Sequence, residues 1–257
     1  MKNQVLIKKS LYFLAIGLLA HSVIFRKKGK YPRSRRKDIS LDGINSARAI
    51  LAVYKAPFYW NTGNVLTAGA ITASIGWLFM HDEEISNWFV HKSDTAIKVL
   101  KNFGWYYGSP ENHFAINGGF YLYGLFFNNP EVRKTGLILI SSTAATGILQ
   151  TIFKKVIGRA RPIRGEGKAS FSPFSNENSY YSFPSGHSIL SFTTAYALST
   201  QLQHPVYKSI PLLFGFIAPV SRLWAGAHWI TDVVTSFCIS VPVVNKVINY
   251  LDEGNSK

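Results

Sequence analysis

Three short stretches in the C-terminal half of the chain carry side chains suited to chemistry on a phosphate group. In chain order they contain Lys154, Arg161 and Pro162; Pro184, Ser185, Gly186 and His187; and Ser221, Arg222, His228 and Asp232. Guanidinium groups present a planar fork to phosphate oxygens, whereas an ammonium group acts as a movable point charge. Three cations and two histidines, one with a carboxylate four residues later, predict a site that holds a phosphate and attacks it.

The second stretch predicts the N-terminus of a helix that binds an anion. Pro184 presets the backbone before the helix, and Ser185 either caps the helix or donates its hydroxyl to a ligand. Gly186 has no side chain, so an oxygen atom can approach its N–H closely, and His187 follows on the first turn. Taken alone, this stretch fits a capped helix with an exposed histidine equally well.

The third stretch predicts an oriented nucleophile. His228 and Asp232 share a face if their segment is helical, and the carboxylate can then accept the Nδ1 proton and leave Nε2 free to attack. Arg222 precedes this pair and reaches the same centre. In the first stretch, by contrast, we interpret Lys155 and Arg159 as an ordinary basic helix end that complements the helix dipole.

Apolar runs between polar breaks predict the helices that must position these residues. Strand-like alternation is scarce, and the runs are longer than ordinary strands, at residues 56–80, 112–130, 135–153, 178–207, 209–221 and 233–245. Short connections favour up-down-up-down packing of four predicted helices, at 135–153, 187–203, 209–221 and 229–249. That topology puts all three stretches at one end of the bundle, and the turn at His204 and Pro205 at the other.

The N-terminal region predicts attachment to a membrane. The formal net charge is +15, and basic residues are crowded into residues 26–37. We interpret this segment as a solvated tether or the cytoplasmic flank of a membrane helix, since no recognition-helix pattern accompanies it to suggest nucleic acid. We predict an uncleaved anchor or a signal segment at 1–25, a basic linker and amphipathic approach at 26–55, and a helical domain at 56–252. Cys238 is the only cysteine, which rules out an intramolecular disulfide and a metal site built from cysteines.

The joint pattern resembles the type 2 phosphatidic acid phosphatase superfamily, which shares its site with vanadium haloperoxidases and bacterial non-specific acid phosphatases. Its three motifs occur in order within residues 135–235, as Lys-x6-Arg-Pro, Pro-Ser-Gly-His and Ser-Arg-x5-His-x3-Asp. The resemblance implies an all-α helical bundle of about six core helices, preceded by an N-terminal hydrophobic segment.

The resemblance also implies a role for each site residue. The phosphoryl oxygens would be held by Lys154, Arg161, Arg222, the Ser185 hydroxyl and the Gly186 N–H. His228 would attack phosphorus in line to give a phosphohistidine, with Asp232 orienting it, and His187 would protonate the leaving oxygen and then activate water. It implies no metal ion or other cofactor, because fixed cations take the place of the magnesium that kinases use.

We therefore expect a phosphatase, embedded in or associated with a membrane, that hydrolyses phosphate monoesters or diphosphates, chiefly of lipids. A water-soluble helical bundle is the alternative to a membrane-spanning one, because the last two apolar runs are short for spans. Other activities that fit are a soluble cell-envelope acid phosphatase acting on small phosphate esters, a vanadium-dependent haloperoxidase, and a non-catalytic lipid or anion binder. If residues 26–37 are cytoplasmic, helix alternation puts Lys154, His187 and His228 on the non-cytoplasmic (periplasmic or extracellular) face.

Two polar segments are not assigned to the phosphate site. The run from His81 to Glu84 is acidic, but adjacent residues on a helix point in different directions, so we expect no metal site there. Residues 163–182 join two of the motifs and are either a lid over the substrate or a flexible connection.

Overall fold

The computed structural model describes residues 35–253, in which all the regular secondary structure is helical. The nine α-helices of these residues are α1 (Arg35–Lys55), α2 (Thr62–Phe79), α3 (Asp82–His91), α4 (Lys98–Tyr107), α5 (Pro110–Phe126), α6 (Pro130–Ile157), α7 (Gly186–Gln201), α8 (Pro205–Trp224) and α9 (Ile230–Glu253). The predicted all-α class is confirmed. The described residues contain nine α-helices in all, five of them before residue 130, where about six core helices are expected. The anchor or signal segment expected at 1–25, and most of the basic run, lie outside the described residues.

Helices α6 to α9 form the four-helix arrangement that the short connections predict. Helix α7 packs against α6, α8 and α9, and α6 also contacts α9. Two hydrogen bonds tie the ends that carry the motifs: Ser185 N donates to the Asp232 carbonyl at 3.3 Å, and the Trp229 indole donates to the Ala160 carbonyl at 2.8 Å. The turn at His204 connects α7 to α8 at the opposite end, since both helices run the length of the bundle between these points.

The ends of α6 explain where its basic residues lie. The Asn129 side chain accepts a hydrogen bond from Val132 N at 3.1 Å, and Pro130 occupies the first turn, so the helix begins earlier than predicted. Gly158 ends the helix in the left-handed conformation, with φ +57°. A Cβ on Gly158 would lie 1.9 Å from the Ser172 carbonyl oxygen, so only glycine fits this turn.

Helix α1 belongs to the bundle, although residues 26–55 are predicted to be a linker. Asp42 accepts a hydrogen bond from Arg133 Nε at 2.7 Å, and both side chains are almost fully buried. Near the other end of α1, the Tyr54 hydroxyl donates to the Ala145 carbonyl at 2.9 Å. Residues 35–55 therefore pack on α6 and α9 as a structural element, because their polar side chains find partners on α6.

Several helices present apolar surface outwards, as expected of a protein in a lipid bilayer. By length and composition, α6 and α9 are able to cross a membrane, and α2 with α3 forms a third candidate that is bent by 60°. None of the side chains of α2 is buried, and Leu66 is 68% exposed. Phe58 and Tyr59 precede α2 and are more than four-fifths exposed, which is typical of aromatic residues at a membrane interface.

Candidate active site

The three motifs meet at one positively charged site, called the pocket below. Lys154 lies in the last turn of α6, Arg161 follows that helix, and Arg222 lies in the last turn of α8. The pKa of His187 falls to about 3, first because the ring is largely buried and then because of the nearby charges of Arg222 and Lys154. Within residues 35–253, Arg161 Nε is buried without a hydrogen-bond partner. Arg161 Nε is therefore a buried cationic donor without a protein acceptor, as is expected at a site for an anion.

The imidazole of His228 is held by a backbone carbonyl. Its Nδ1 lies 2.7 Å from the Ser182 carbonyl oxygen, and the residue is 3% exposed. A carbonyl oxygen can only accept, so Nδ1 carries the hydrogen and the lone pair lies on Nε2. Burial lowers the pKa of His228 to about 4, against the opposing effect of Asp232, so the ring is neutral at neutral pH.

Asp232 supports His228 less directly than the spacing predicts. Its Oδ2 is 3.6 Å from His228 Nδ1, too far for a good hydrogen bond. The carboxylate instead accepts hydrogen bonds from Arg159 at 2.7 Å, from the Ser182 hydroxyl at 2.5 Å and from Trp229 N at 2.8 Å. The expected pairing is thus corrected: Ser182 provides the acceptor for Nδ1, and Asp232 lies behind it as a fixed negative charge.

Ser185 is fully buried and does not cap α7, although it is the N-cap residue. Its hydroxyl oxygen accepts a hydrogen bond from the Ser188 hydroxyl at 2.8 Å. Because that bond uses a lone pair, the hydrogen of Ser185 is left for another acceptor. Gly186 is the first residue of α7 and is buried at the same point. Of the two roles predicted for Ser185, the arrangement favours donation to a ligand.

The interpretation of Arg159 as part of an ordinary basic helix end is wrong. The side chain is 2% exposed and donates to Asp82 at 2.6 Å as well as to Asp232. Asp82 is fully buried, so the acidic run at residues 81–84 contributes a salt-bridge partner instead of a solvated face. Among the described residues, no group of three or more histidine, cysteine or acidic side chains could hold a metal ion.

Helix α4 covers one side of the site, a contact that no sequence pattern predicts. The Arg222 guanidinium lies over the Trp105 ring, 4.1 Å from its centroid, and the same ring is 5.5 Å from that of His187. A Cβ on Gly108 would come within 2.7 Å of the His187 ring, so the end of α4 approaches the histidine closely only because this residue is glycine. A lone tryptophan on an amphipathic helix carries no sequence signal for such a contact.

The helix ends of this bundle bring together cations, a serine hydroxyl and two histidines, which are side chains suited to binding a phosphoryl group. Residues 135–254 match the model of the PAP2 superfamily. This match confirms, for this region of the chain, the resemblance drawn from the three motifs.

Curated relatives include two kinds of bacterial lipid phosphatase. The chain is 35% identical over 107 residues to a lipid A 1-phosphatase of Rhizobium etli, over 40% of this chain and 44% of the relative. It is 32% identical over 131 residues to phosphatidylglycerophosphatase B of Bacillus subtilis, over 46% of this chain and 58% of the relative. The chain thus spans about half the length of the curated relatives it matches. The crystal structure of Aquifex aeolicus LpxE is similar with a TM-score of 0.49 at 20% identity, over 63% of this chain and 93% of that one.

Proposed function

We propose that this protein is a membrane phosphatase that hydrolyses phosphate monoesters or diphosphates of lipids through a phosphohistidine on His228. The observation that carries this proposal is the His228 contact with the Ser182 carbonyl, which leaves the Nε2 lone pair available beside three cations. The lipid class is supported by the exposed apolar helices and by the names of the bacterial relatives.

The first step forms a bond between His228 Nε2 and phosphorus. Lys154, Arg161 and Arg222 hold the phosphoryl oxygens and stabilise the charge that moves onto them. The bond from phosphorus to the lipid oxygen breaks, and that oxygen takes a proton from His187. The lipid alcohol, or the lipid monophosphate if the substrate is a diphosphate, then leaves and phosphohistidine remains.

The second step returns the enzyme to its starting state. His187, now neutral, takes a proton from a water molecule whose oxygen attacks phosphorus. The bond between phosphorus and Nε2 breaks and inorganic phosphate is released. His187, protonated in this step, loses its proton once the phosphate has left. Each step uses only the substrate, water and the protein's own side chains, so the proposal includes no metal ion.

His187 must gain its proton when substrate binds. With no ligand its pKa is about 3, because burial and the neighbouring cations disfavour a further positive charge. A phosphate with two negative charges offsets those cations, and this raises the pKa of His187 towards neutrality. We therefore propose that substrate binding itself charges the general acid.

Phosphate release from a panel of substrates tests the proposal. The panel contains phosphatidate, phosphatidylglycerophosphate, an isoprenyl diphosphate, a lipid with a phosphorylated sugar and a small chromogenic ester, each with a chelator present. We expect release from at least one lipid, its loss in His228→Ala, and unchanged release in His204→Ala, which alters a histidine at the opposite end of the bundle. Undiminished turnover in His228→Ala would refute the nucleophile, and activity on the small ester alone would refute the lipid class.

Two further measurements separate the alternatives. Vanadate should inhibit release, whereas halide oxidation on adding vanadate would indicate a haloperoxidase. We propose a non-cytoplasmic active site, which reporter fusions after Lys37 and after Gly167 test. Reporters on opposite sides of the membrane support it, and reporters on the same side contradict it.

A further inference from the structure

Arg159 is enclosed between two carboxylates that come from different helices. Asp82 opens α3, Arg159 follows α6, and Asp232 lies in the first turn of α9. The guanidinium donates to Asp82 Oδ2 at 2.6 Å and to Asp232 Oδ1 at 2.7 Å, and the three side chains are at most 2% exposed. The three charges thus form one buried cluster directly behind the nucleophile.

Hydrogen bonds fix the orientation of this cluster. Thr231 donates its N–H to Asp82 Oδ1 at 3.0 Å and its hydroxyl to Asp82 Oδ2 at 2.5 Å, and its hydroxyl oxygen accepts from Arg159 at 2.8 Å. Arg159 also donates from Nε and from its second terminal nitrogen to the Lys168 carbonyl, at 3.2 and 3.1 Å. Since these contacts occupy its donors, Arg159 is not available to a phosphate, in contrast to Arg161.

The net charge of Asp82, Arg159 and Asp232 suggests a role for Asp82. Asp232 and Arg159 alone would form a neutral pair with little effect on a neighbouring imidazole. With Asp82 the cluster carries one net negative charge, and its Asp232 oxygen lies 3.6 Å from His228 Nδ1. Positive charge grows on the His228 ring as Nε2 bonds to phosphorus, because Nδ1 keeps its hydrogen. In a buried site that positive charge is stabilised by a net negative neighbour.

We propose that Asp82 and Arg159 are positioning residues for the reaction. In this proposal, Arg159 holds Asp232 in place and Asp82 restores the negative charge that stabilises the imidazolium of His228. The inference rests on the proposed function. It also extends the site beyond residues 135–254, since Asp82 lies before the region that the superfamily model matches.

The proposal predicts a change in kcat without a change in binding. Asp82→Asn keeps the shape of the side chain but removes its charge. We expect kcat to fall about 10- to 100-fold, as for other groups that act through a neighbouring residue. KM and the inhibition constant of sulfate should stay within about twofold, since Lys154, Arg161 and Arg222 are unchanged.

Asp42→Asn is the matched control, because Asp42 pairs with Arg133 at a similar distance and depth but far from the pocket. A purely structural role predicts that both variants lose thermal stability while kcat per folded molecule stays at the wild-type value. That result would overturn the proposal.

If Asp82→Asn does not fold, Thr231→Val replaces it, since this change loosens Asp82 from α9 and removes no charge. A fall in its kcat at constant KM supports the proposal, and an unchanged kcat overturns it.

A double variant tests the charge itself. Adding Arg159→Gln to Asp82→Asn restores one net negative charge, from Asp232 alone, and glutamine can still donate to that carboxylate. We expect kcat to recover at least about fivefold over Asp82→Asn. Equal or lower kcat in the double variant would overturn the charge argument. A wild-type protein that releases no phosphate would instead refute the proposed function, so the two failures are distinguishable.

Discussion

The two ends of α6 hold basic side chains in opposite ways. At its N-terminal end Arg133 is paired with Asp42, and Lys134 is paired with Asp252. At its C-terminal end, about 30 Å away at 1.5 Å per residue, Lys154 faces the pocket. In the described part of the chain, no carboxylate forms an ion pair with any of the three pocket cations, which are Lys154, Arg161 and Arg222.

We interpret this difference as a division between basic residues that stabilise the fold and basic residues that bind a ligand. A buried cation without a counter-ion costs free energy, so it is expected only where binding supplies the missing negative charge. The paired cations at the N-terminal end join helices to one another. The unpaired cations at the C-terminal end surround a histidine with an available lone pair. Arg159 is the exception at that end, since it is paired with Asp82 and Asp232.

The largest effects should come from removing the unpaired cations. We expect Arg161→Gln to lower kcat/KM by about 10²- to 10³-fold, since each lost donor leaves transition-state charge unstabilised. Arg133→Gln, at the paired end, should lower the melting temperature because Asp42 stays buried without its partner, yet leave kcat unchanged. Steady-state kinetics and thermal denaturation of both variants measure this. Equal kcat losses in the two variants would contradict the distinction.

The turn that ends α6 should matter next. Gly158→Ala places a Cβ 1.9 Å from the Ser172 carbonyl at a positive φ, so the backbone that carries Lys154 and Arg159 must shift. We expect a loss of about 1–3 kcal/mol from the backbone strain alone, together with reduced activity. Gly147→Ala, in the same helix, meets no atom within 4 Å and is the control. Equal stability of the two variants by denaturant unfolding would show that the turn is not required.

The pH dependence of anion binding tests whether His187 responds to an anion held by the unpaired cations. Sulfate keeps its two charges over the accessible range, and its binding raises the pKa of His187 from about 3. Between the unbound and bound pKa values, binding takes up a proton, so sulfate affinity should rise up to about tenfold for each unit by which pH falls. His187→Gln should reduce this dependence. Inhibition constants measured from pH 7 to pH 5 provide the check, and a slope identical in wild type and variant would rule out His187 as the coupled group.

The smallest expected effect concerns the wall of the pocket. Trp105→Leu removes the ring beneath Arg222, and we expect KM to rise about 2- to 5-fold, the range of an exposed cation–π contact. Trp88→Leu is the control, because Trp88 is similarly exposed but contacts only Phe89 among the aromatic residues of the described structure. Substrate kinetics for both variants separate the two sites. An unchanged KM in Trp105→Leu would show that Arg222 needs no such support.

The sequence was sufficient for the C-terminal helices and for the residues that face the pocket. Short connections favour alternation of α7, α8 and α9, and the polar segment 158–185 joins the end of α6 to the start of α7. Alternating packing therefore predicts that Lys154, His187, Arg222 and His228 lie at the same end. The exact bounds of these helices are harder to predict. Asn129 and His204 cap α6 and α8, which therefore begin several residues before the apolar runs do.

The residues that support His228 and Asp232 could not be predicted from the sequence. The acceptor for His228 is a backbone carbonyl of Ser182, and a carbonyl is present at every residue. The pairing of Asp82 with Arg159 joins residues 77 positions apart, and no periodicity connects them. An acidic run and a basic helix end are ordinary surface features in isolation. Only their placement in the folded chain shows that they form an ion pair behind His228.

Direct isolation of the phosphorylated enzyme tests the central claim, that the unpaired cations present phosphate to His228. We would use His187→Gln, which lacks the base for the second step, and radiolabelled para-nitrophenyl phosphate, whose leaving group needs little protonation. After a rapid alkaline quench, we predict a label that is stable to alkali, labile to acid and located on the peptide containing His228. A label on any other residue, or release of nitrophenol with no labelled protein, would contradict the account.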